Sequence, residues 1–255
     1  MNLIALPAAV RLLAWNIRAG GGVRIAAIAE ALARHDADIV VLSEYRSGLA
    51  GDRLRAALAM LGYAWMTTTQ PPPGANGVLI AARRRLRELG PVCATLPEPW
   101  RMLQVRVGAV LLAGIYMPNL RAKVPYWEAL IAALAPQAGA RAVAIGDFNT
   151  CRAWVDEPGA IDSTAHYLDR VEAIGFRDLW RHRFPDGREY SWYSTRGNGF
   201  RIDHAFFSVA LAKRAGEVRY SHAERTAGLS DHSALLVELA AIRGRGIAAP
   251  LRSSQ

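Results

Sequence analysis

Apolar residues in this chain fall into short continuous runs that alternate with stretches of helical spacing. Leu12 to Trp15 reads as a buried strand, with Asn16 at its end and a Gly20-Gly21-Gly22 turn after Arg18. Ile25, Ile28, Ala29 and Leu32 then recur at i, i+3, i+4 and i+7, the stripe of an amphipathic helix. Asp38 opens a second run, Ile39 to Leu42, that ends on Ser43 and Glu44, and Leu54, Leu58 and Leu61 suggest a second helix. After the loop Gln70-Pro71-Pro72-Pro73-Gly74, Asn76-Gly77 leads into a strand from Val78 to Ala82, and the basic cluster Arg83 to Arg87 reads as a solvated turn. Trp100 to Val107 and Val110 to Tyr116 read as paired strands joined at Gly108, and the second ends in Tyr116-Met117-Pro118-Asn119. Trp127, Leu130, Ile131 and Leu134 mark a third helix.

Ala142 to Ile145 is the next buried run, and it stops at Gly146-Asp147-Phe148-Asn149. If the extended conformation persists there, Asp147 and Asn149 project to one side. Cys151 to Ser163 is irregular; Tyr167, Val171 and Ile174 suggest a short helix ending at Gly175. Phe176 to Trp180, the turn Pro185-Asp186-Gly187 and Tyr190 to Tyr193 follow. Phe200 to Phe207 reads as one strand, Val218 to Tyr220 as another, and Ala234 to Val237, after Ser230-Asp231-His232, as the last. With no linker-like break and no fixed repeat, residues 1–242 are expected to form a single α/β domain, two sheets packed face to face with helices outside. Residues 243–255 are expected to be a flexible basic tail.

Composition narrows this picture. An apolar fraction of 52% in 255 residues is ample for one core, and no apolar run is long enough to span a membrane. The apolar N-terminus lacks a basic n-region and a convincing cleavage site, which argues against a secretory signal. Cys93 and Cys151 have no metal-ligand spacing and fit buried thiols in a reduced, cytoplasmic setting. The net charge of +9 and pI near 10.1 favour a polyanionic partner such as nucleic acid. All basic residues except Lys123 and Lys213 are arginine, which suits bidentate phosphate contacts and equally fits an arginine-biased codon usage.

Polar residues recur where strands end: Asn16, Glu44, Tyr116, Asp147, Asn149, Asp203, Asp231 and His232. A strand-end Asp or Asn is by itself most often a turn residue. As a set, oxygen donors without cysteine suit Mg²⁺ or Mn²⁺ rather than zinc, and a carboxylate, an amide, a histidine and a tyrosine beside such a cation suit phosphoester hydrolysis.

The ordered motifs Trp15-Asn16, Glu44, Tyr116-Met117-Pro118-Asn119, Gly146-Asp147-Phe148-Asn149, Arg201-Ile202-Asp203 and Ser230-Asp231-His232 resemble those of the endonuclease/exonuclease/phosphatase superfamily, over residues 12 to 238. The Tyr-x-Pro-Asn form, Gly175-Phe176-Arg177-Asp178 with Tyr190-Ser191-Trp192, and Asn198 to Asp203 are similar to exonuclease III-like and abasic-site endonucleases. The resemblance implies a four-layer α/β sandwich. It implies a Mg²⁺- or Mn²⁺-dependent phosphodiesterase that acts on DNA, as an abasic-site endonuclease, a 3′-5′ exonuclease or both; a monomer is expected. Glu44 would bind the metal, with Asn16 and Asp231 ligating or organising it, and Asp147 would orient or deprotonate the attacking water. Asn149, Tyr116 and Asn119 would hold phosphate oxygens, and His232, oriented by Asp203, would stabilise developing charge. Phe200 and Ile202 would line a sugar pocket, with Trp192 and Arg201 also on the substrate side. Two departures stand out. Arg18 occupies a position where such enzymes usually carry an aspartate, and residues 150–161 do not follow the repair-enzyme sequence; His204, where tyrosine or leucine is common, is expected to pack. Two further readings are the same fold cleaving a small or lipid phosphoester, and a DNA-binding module without catalysis.

Overall fold

The computed structural model describes residues 9–159 and 163–240. Two six-stranded sheets lie face to face. The first contains β1 (Val10–Asn16), β2 (Ile39–Tyr45), β3 (Trp65–Thr68) and β4 (Gly77–Ala82), with β13 (Ala215–Ser221) and β14 (Ala234–Leu239), in the order β13-β14-β1-β2-β4-β3. The second contains β5 (Leu86–Pro91), β6 (Met102–Val107), β7 (Val110–Tyr116), β8 (Ala142–Asp147), β9 (Phe176–Asp178) and β12 (Asp203–Ser208), in the order β5-β6-β7-β8-β12-β9. A two-stranded ribbon, β10 (Trp192–Tyr193) with β11 (Gly199–Phe200), stands apart. Only β1–β2 and β7–β8 pair in parallel within the two large sheets, each across a helical connection, so both sheets are mixed.

Strand alternation sorts the side chains into layers. Leu12, Val41, Ile80, Leu112, Ile145 and Leu235 meet between the sheets. Gly114 on β7 lets them approach: a Cβ there would lie 2.9 Å from Val41 and Val78. The opposite face of the first sheet is covered by α1 (Ile25–His35) and α2 (Leu49–Met60), through Ile28, Leu32, Leu54 and Leu58. That of the second is covered by α3 (Val124–Leu134) and α4 (His166–Ala173), through Trp127, Leu130, Leu134, Leu168 and Val171. The expected four layers, helix–sheet–sheet–helix, are therefore present, and the helical stripes read from the sequence are the buried faces. Three shorter helices, α5 (Leu179–Arg183), α6 (Val209–Ala212) and α7 (Ala223–Thr226), complete the connections.

Several local expectations are corrected. Trp65–Thr68 is a strand that its mixed composition concealed; it pairs antiparallel with β4 at the sheet edge. The Arg83–Arg87 stretch is only partly a turn, since β5 begins at Leu86, and Arg83 pairs with Asp36 at 2.6 Å. The strand after Trp100 begins at Met102, behind a 3-10 turn of Pro99–Arg101. The Phe200–Phe207 run is broken at Arg201-Ile202, because the Arg201 amide leaves the ladder for the Asp156 carbonyl (2.9 Å) and the Ile202 amide leaves it for Ser191 Oγ (3.1 Å). Cys151 is buried, as expected of a core thiol, whereas Cys93 is half-exposed. The expected tail lies outside the described residues, among which no helix is long and apolar enough to cross a membrane.

Candidate active site

The site is built at one end of the central strands. The parallel register of β7 and β8 sets Tyr116 beside Asp147, and the antiparallel register of β8 and β12 sets Asp203 on its other side, so three predicted residues stand in one row. Gly146, at φ 141°, precedes them; a Cβ there would fall 2.2 Å from the Ile115 carbonyl oxygen, so only glycine fits. Beyond Asp147 the extended conformation does not persist. Asn149 turns left-handed (φ 47°), and its amide donates to Asp147 Oδ1 at 2.9 Å. The two side chains still share one pocket, through this turn rather than through strand alternation. Asn149 Nδ2 donates to the Met117 carbonyl at 2.7 Å, which fixes the carboxamide.

Glu44 is presented by a bulge. The β2–β4 register slips between Ser43 and Tyr45, and Glu44 sits there at φ 58°, a conformation that costs a non-glycine residue about 1–3 kcal/mol. Its carboxylate accepts from the Ala19 amide at 2.7 Å and from Asn16 Nδ2 at 3.1 Å. The same Asn16 nitrogen donates to Asp147 Oδ2 at 3.0 Å, while Asn16 Oδ1 takes the Arg18 amide at 2.9 Å. Asn16 thus bridges the Glu44 and Asp147 carboxylates.

His232 closes the site. Its Nδ1 lies 2.8 Å from Asp203 Oδ2, and its Nε2 lies 3.9 Å from Asp147 Oδ2. Its carbonyl accepts from Trp15 Nε1 at 3.1 Å, and its amide donates to Ser230 Oγ, also at 3.1 Å. Asp231 accepts from Trp192 Nε1 at 3.3 Å. Burial alone would lower the imidazole pKa, but the Asp203 and Asp147 carboxylates outweigh it and raise it, so His232 is held as imidazolium at neutral pH. Burial raises the Asp147 carboxyl; Asp203 adds to this, and the imidazolium and Asn16 oppose it. Burial likewise raises the Tyr116 hydroxyl, keeping it a neutral donor. Asn76 reaches that hydroxyl at 3.4 Å, and the Arg101 guanidinium lies 4.7 Å over the ring.

These groups open into a pocket of about 1010 Å³. Glu44, Tyr116, Asp147, Asn149, Asp231 and His232 line its polar wall. Trp192, Phe200 and Ile202 line another part, with the Trp192 and Phe200 rings 5.6 Å apart across the ribbon, and exposed Asn119 stands at the rim. Arg201 does not belong with them. It is wholly buried and bonded to Asp156 and Asp178, so its expected place on the substrate side is corrected: two carboxylates behind the pocket demand its charge. His204 packs, as expected, edge-on to Phe148 (5.6 Å), and its ring nitrogens also reach Asp178 and the Thr150 carbonyl.

Sequence reading missed two residues. Lys123 lines the pocket while almost fully buried, and its ammonium donates to the Asn149 carbonyl. Its signal was compositional, one of two lysines among 31 basic residues. Ser191 is fully buried and joins the start of β12, at Asp203, to the chain that leads from His232 into β14; nothing in its spacing announced this.

The donor set fits a hard divalent cation. Glu44 offers two carboxylate oxygens, each with one hydrogen bond and further lone pairs, and Asp231 lies on the same wall. Asp147, Asp203 and His232 also bring ligand atoms within 4.8 Å of one another, but Asp203 Oδ2 is already committed to His232 Nδ1. Glu44 and Asp231 are thus side chains of this wall that could hold such a cation.

Two mixed sheets between helices, with a carboxylate-rich pocket and a charged His–Asp pair at their strand ends, define a hydrolase of the α/β-sandwich type. The chain belongs to the Endonuclease/Exonuclease/phosphatase family, whose profile matches residues 13–232. Comparison with curated protein sequences finds no match. Among solved structures the chain is similar to the 3′ phosphatase NExo from Neisseria, bound to product DNA hairpin, with 25% identity, 91% of this chain and 99% of that chain covered, and a TM-score of 0.79. NExo from Neisseria meningitidis, described as a 3′-5′ exonuclease, gives 25% identity, 90% and 99% coverage and a TM-score of 0.76. An AP endonuclease from Archaeoglobus fulgidus shares the fold at 19% identity, with 91% and 100% coverage and a TM-score of 0.80.

Proposed function

We propose that this protein is a divalent-metal-dependent phosphodiesterase that acts on DNA, at abasic sites, at 3′ ends or at both. The observation that carries the reading is that two hydrogen-bonded groups, Glu44–Asn16–Asp147 and Asp203–His232, meet where His232 Nε2 lies 3.9 Å from Asp147 Oδ2, at a pocket lined by Glu44, Asp147 and His232. A binding module needs cations and not this inventory. The net charge of +9 suits a polyanionic substrate, and the NExo structure, at 25% identity, holds a DNA hairpin.

In the reaction an oxygen of water attacks phosphorus, and the P–O bond to the departing oxygen breaks in line with it. Asp147 aligns this water and takes its proton; the raised pKa of its carboxyl matches it to such a transfer near neutral pH. Asn149, Tyr116 and Asn119 donate to the equatorial phosphate oxygens, and the His232 imidazolium, fixed by Asp203, stabilises charge as it builds. Mg²⁺ or Mn²⁺ held by Glu44 and Asp231 would supply Lewis acidity and charge neutralisation. Trp192, Phe200 and Ile202 give the sugar an apolar wall.

The test is cleavage of one labelled duplex, with and without a single abasic site, in Mg²⁺ and in excess chelator. Chelator-sensitive incision at the site, or trimming from 3′ ends, supports the proposal. No cleavage of either duplex, alongside turnover of a soluble phosphodiester, overturns the choice of DNA.

A further inference from the structure

Ser191 occupies a junction that the chemistry above does not use. It is fully buried at the start of the ribbon β10–β11, and its Oγ accepts from two successive amides, Ile202 at 3.1 Å and Asp203 at 3.2 Å. The Ser191 carbonyl accepts from the Ser233 amide at 2.8 Å, and its own amide donates to the Phe200 carbonyl at 2.9 Å. The next residue, Trp192, makes an isolated antiparallel bridge to His232 and donates from its indole to Asp231. Asp203 and His232 are 29 residues apart in sequence; Asp203 begins β12 of the second sheet, whereas His232 lies on the chain that enters β14 of the first. Their 2.8 Å contact therefore depends on what ties the start of β12 to the chain entering β14. Residue 191 makes that tie on both sides, with its hydroxyl on the Asp203 side and its carbonyl on the His232 side.

We propose that Ser191 is a positioning residue that sets the Asp203–His232 pair, and that its hydroxyl is the part a substitution can remove without touching the tie to His232. The inference rests on the phosphoesterase reading for its catalytic consequence, but its geometric content is independent of it. The hydroxyl acts as an acceptor for two amides that sheet pairing does not satisfy, because the chain leaves the ladder at Arg201-Ile202. Without that acceptor both amides are buried and unbonded, and the segment shifts to find partners. Asp203 moves with it while His232 stays, held by Trp15 and Ser230, with the neighbouring Ser233 amide still on the Ser191 carbonyl.

The experiment compares Ser191→Thr, which keeps the hydroxyl, with Ser191→Val, which has nearly the same shape without it. Ser191→Ala serves in place of valine if the larger side chain is not accommodated. Near-UV circular dichroism identifies the folded variants. Two readouts are taken: the low-field proton resonance of His232 Nδ1–H in the metal-free protein, and the division of any effect between kcat and KM on a DNA substrate. The expected result is that the threonine variant keeps the resonance and stays within about threefold of the wild-type kcat. The valine or alanine variant loses or shifts the resonance and loses about 100-fold in kcat at nearly unchanged KM, the size expected of a misplaced catalytic group. A folded hydroxyl-free variant with the wild-type resonance and kcat overturns the proposal, as does an equal loss in the threonine and valine variants. If the wild type cleaves no phosphoester at all, the functional reading fails, and the resonance alone decides the role of Ser191.

Discussion

Replacing Arg201 by methionine should destabilise the whole domain rather than weaken substrate binding alone. Arg201 Nε lies 2.8 Å from Asp156 Oδ1, and its two terminal nitrogens lie 3.2 and 2.7 Å from the Asp178 oxygens, with all three side chains at zero exposure. Removing one partner of such a buried pair costs about 3–5 kcal/mol, because a charge is left without compensation. Here the remaining partners reduce the damage: Asp178 keeps His204 at 3.1 Å and Arg152 at 3.4 Å, and Asp156 keeps Arg181 at 2.7 Å. The lower end, about 3 kcal/mol, is therefore expected, and at 2–4 °C per kcal/mol for a domain of this size it corresponds to a fall in Tm of roughly 6–12 °C. The pH dependence has a definite sign. Burial alone would raise the Asp178 carboxyl, but Arg201 and His204 hold it well below the usual carboxylate range. A depressed folded-state pKa stabilises above the ordinary value, about 4, and that stabilisation is lost as pH falls towards the folded value. The gap between wild type and Arg201→Met should thus be widest near pH 7 and narrow in acid. Thermal melts by circular dichroism at pH 7 and at about pH 2–3, below the ordinary carboxylate value, measure both effects. A shift under 2 °C at pH 7, or a gap that widens in acid, refutes the reasoning; weakened DNA binding with an unchanged melt would return Arg201 to the substrate side.

Asp147→Asn should reduce kcat by about 10²–10⁴-fold while leaving DNA affinity within threefold, measured by single-turnover cleavage and equilibrium binding; near-normal turnover would remove Asp147 from its role. Glu44→Gln should weaken Mn²⁺ binding roughly tenfold or more in titration calorimetry, and unchanged affinity would move the cation elsewhere. Glu224 is buried at the start of α7, where burial would raise its carboxyl but His35 at 2.9 Å and Ser221 at 2.6 Å pull it down to about 2. Its contribution to stability is accordingly present above its ordinary value of 4.5 and lost as pH falls from there towards 2, so the deficit of Glu224→Gln in melts should disappear across that window. DNA affinity should fall steeply between 50 and 200 mM salt, and a flat response would place the basic surface away from the duplex.

Local pattern determined a large part of this protein. Short continuous apolar runs read as strands buried on both faces, and the stripes at Ile28 and Leu32 or Leu130 and Leu134 as helices with one covered face; the layers found match that reading. Strand ends were legible because apolar runs stop abruptly at polar residues, and that placed Asn16, Glu44, Tyr116, Asp147, Asp203 and His232 in view before any contact was known. The tertiary structure decided everything that depends on register and burial. Periodicity carries no record of which strands are neighbours, so the row Tyr116–Asp147–Asp203 exists only once β7, β8 and β12 pair. Nor does it show where a backbone leaves its ladder. The bulge that turns Glu44, the left-handed turn at Asn149 and the break at Arg201-Ile202 are local departures that the apolar pattern does not mark. For the same reason Arg201 was expected on the substrate side and is a buried counter-ion, and Ser191, read only as part of Tyr190-Ser191-Trp192, joins the two halves of the site. An arginine's role is set by which carboxylates surround it, and a hydroxyl's by which amides lack a partner; both are properties of the assembled fold.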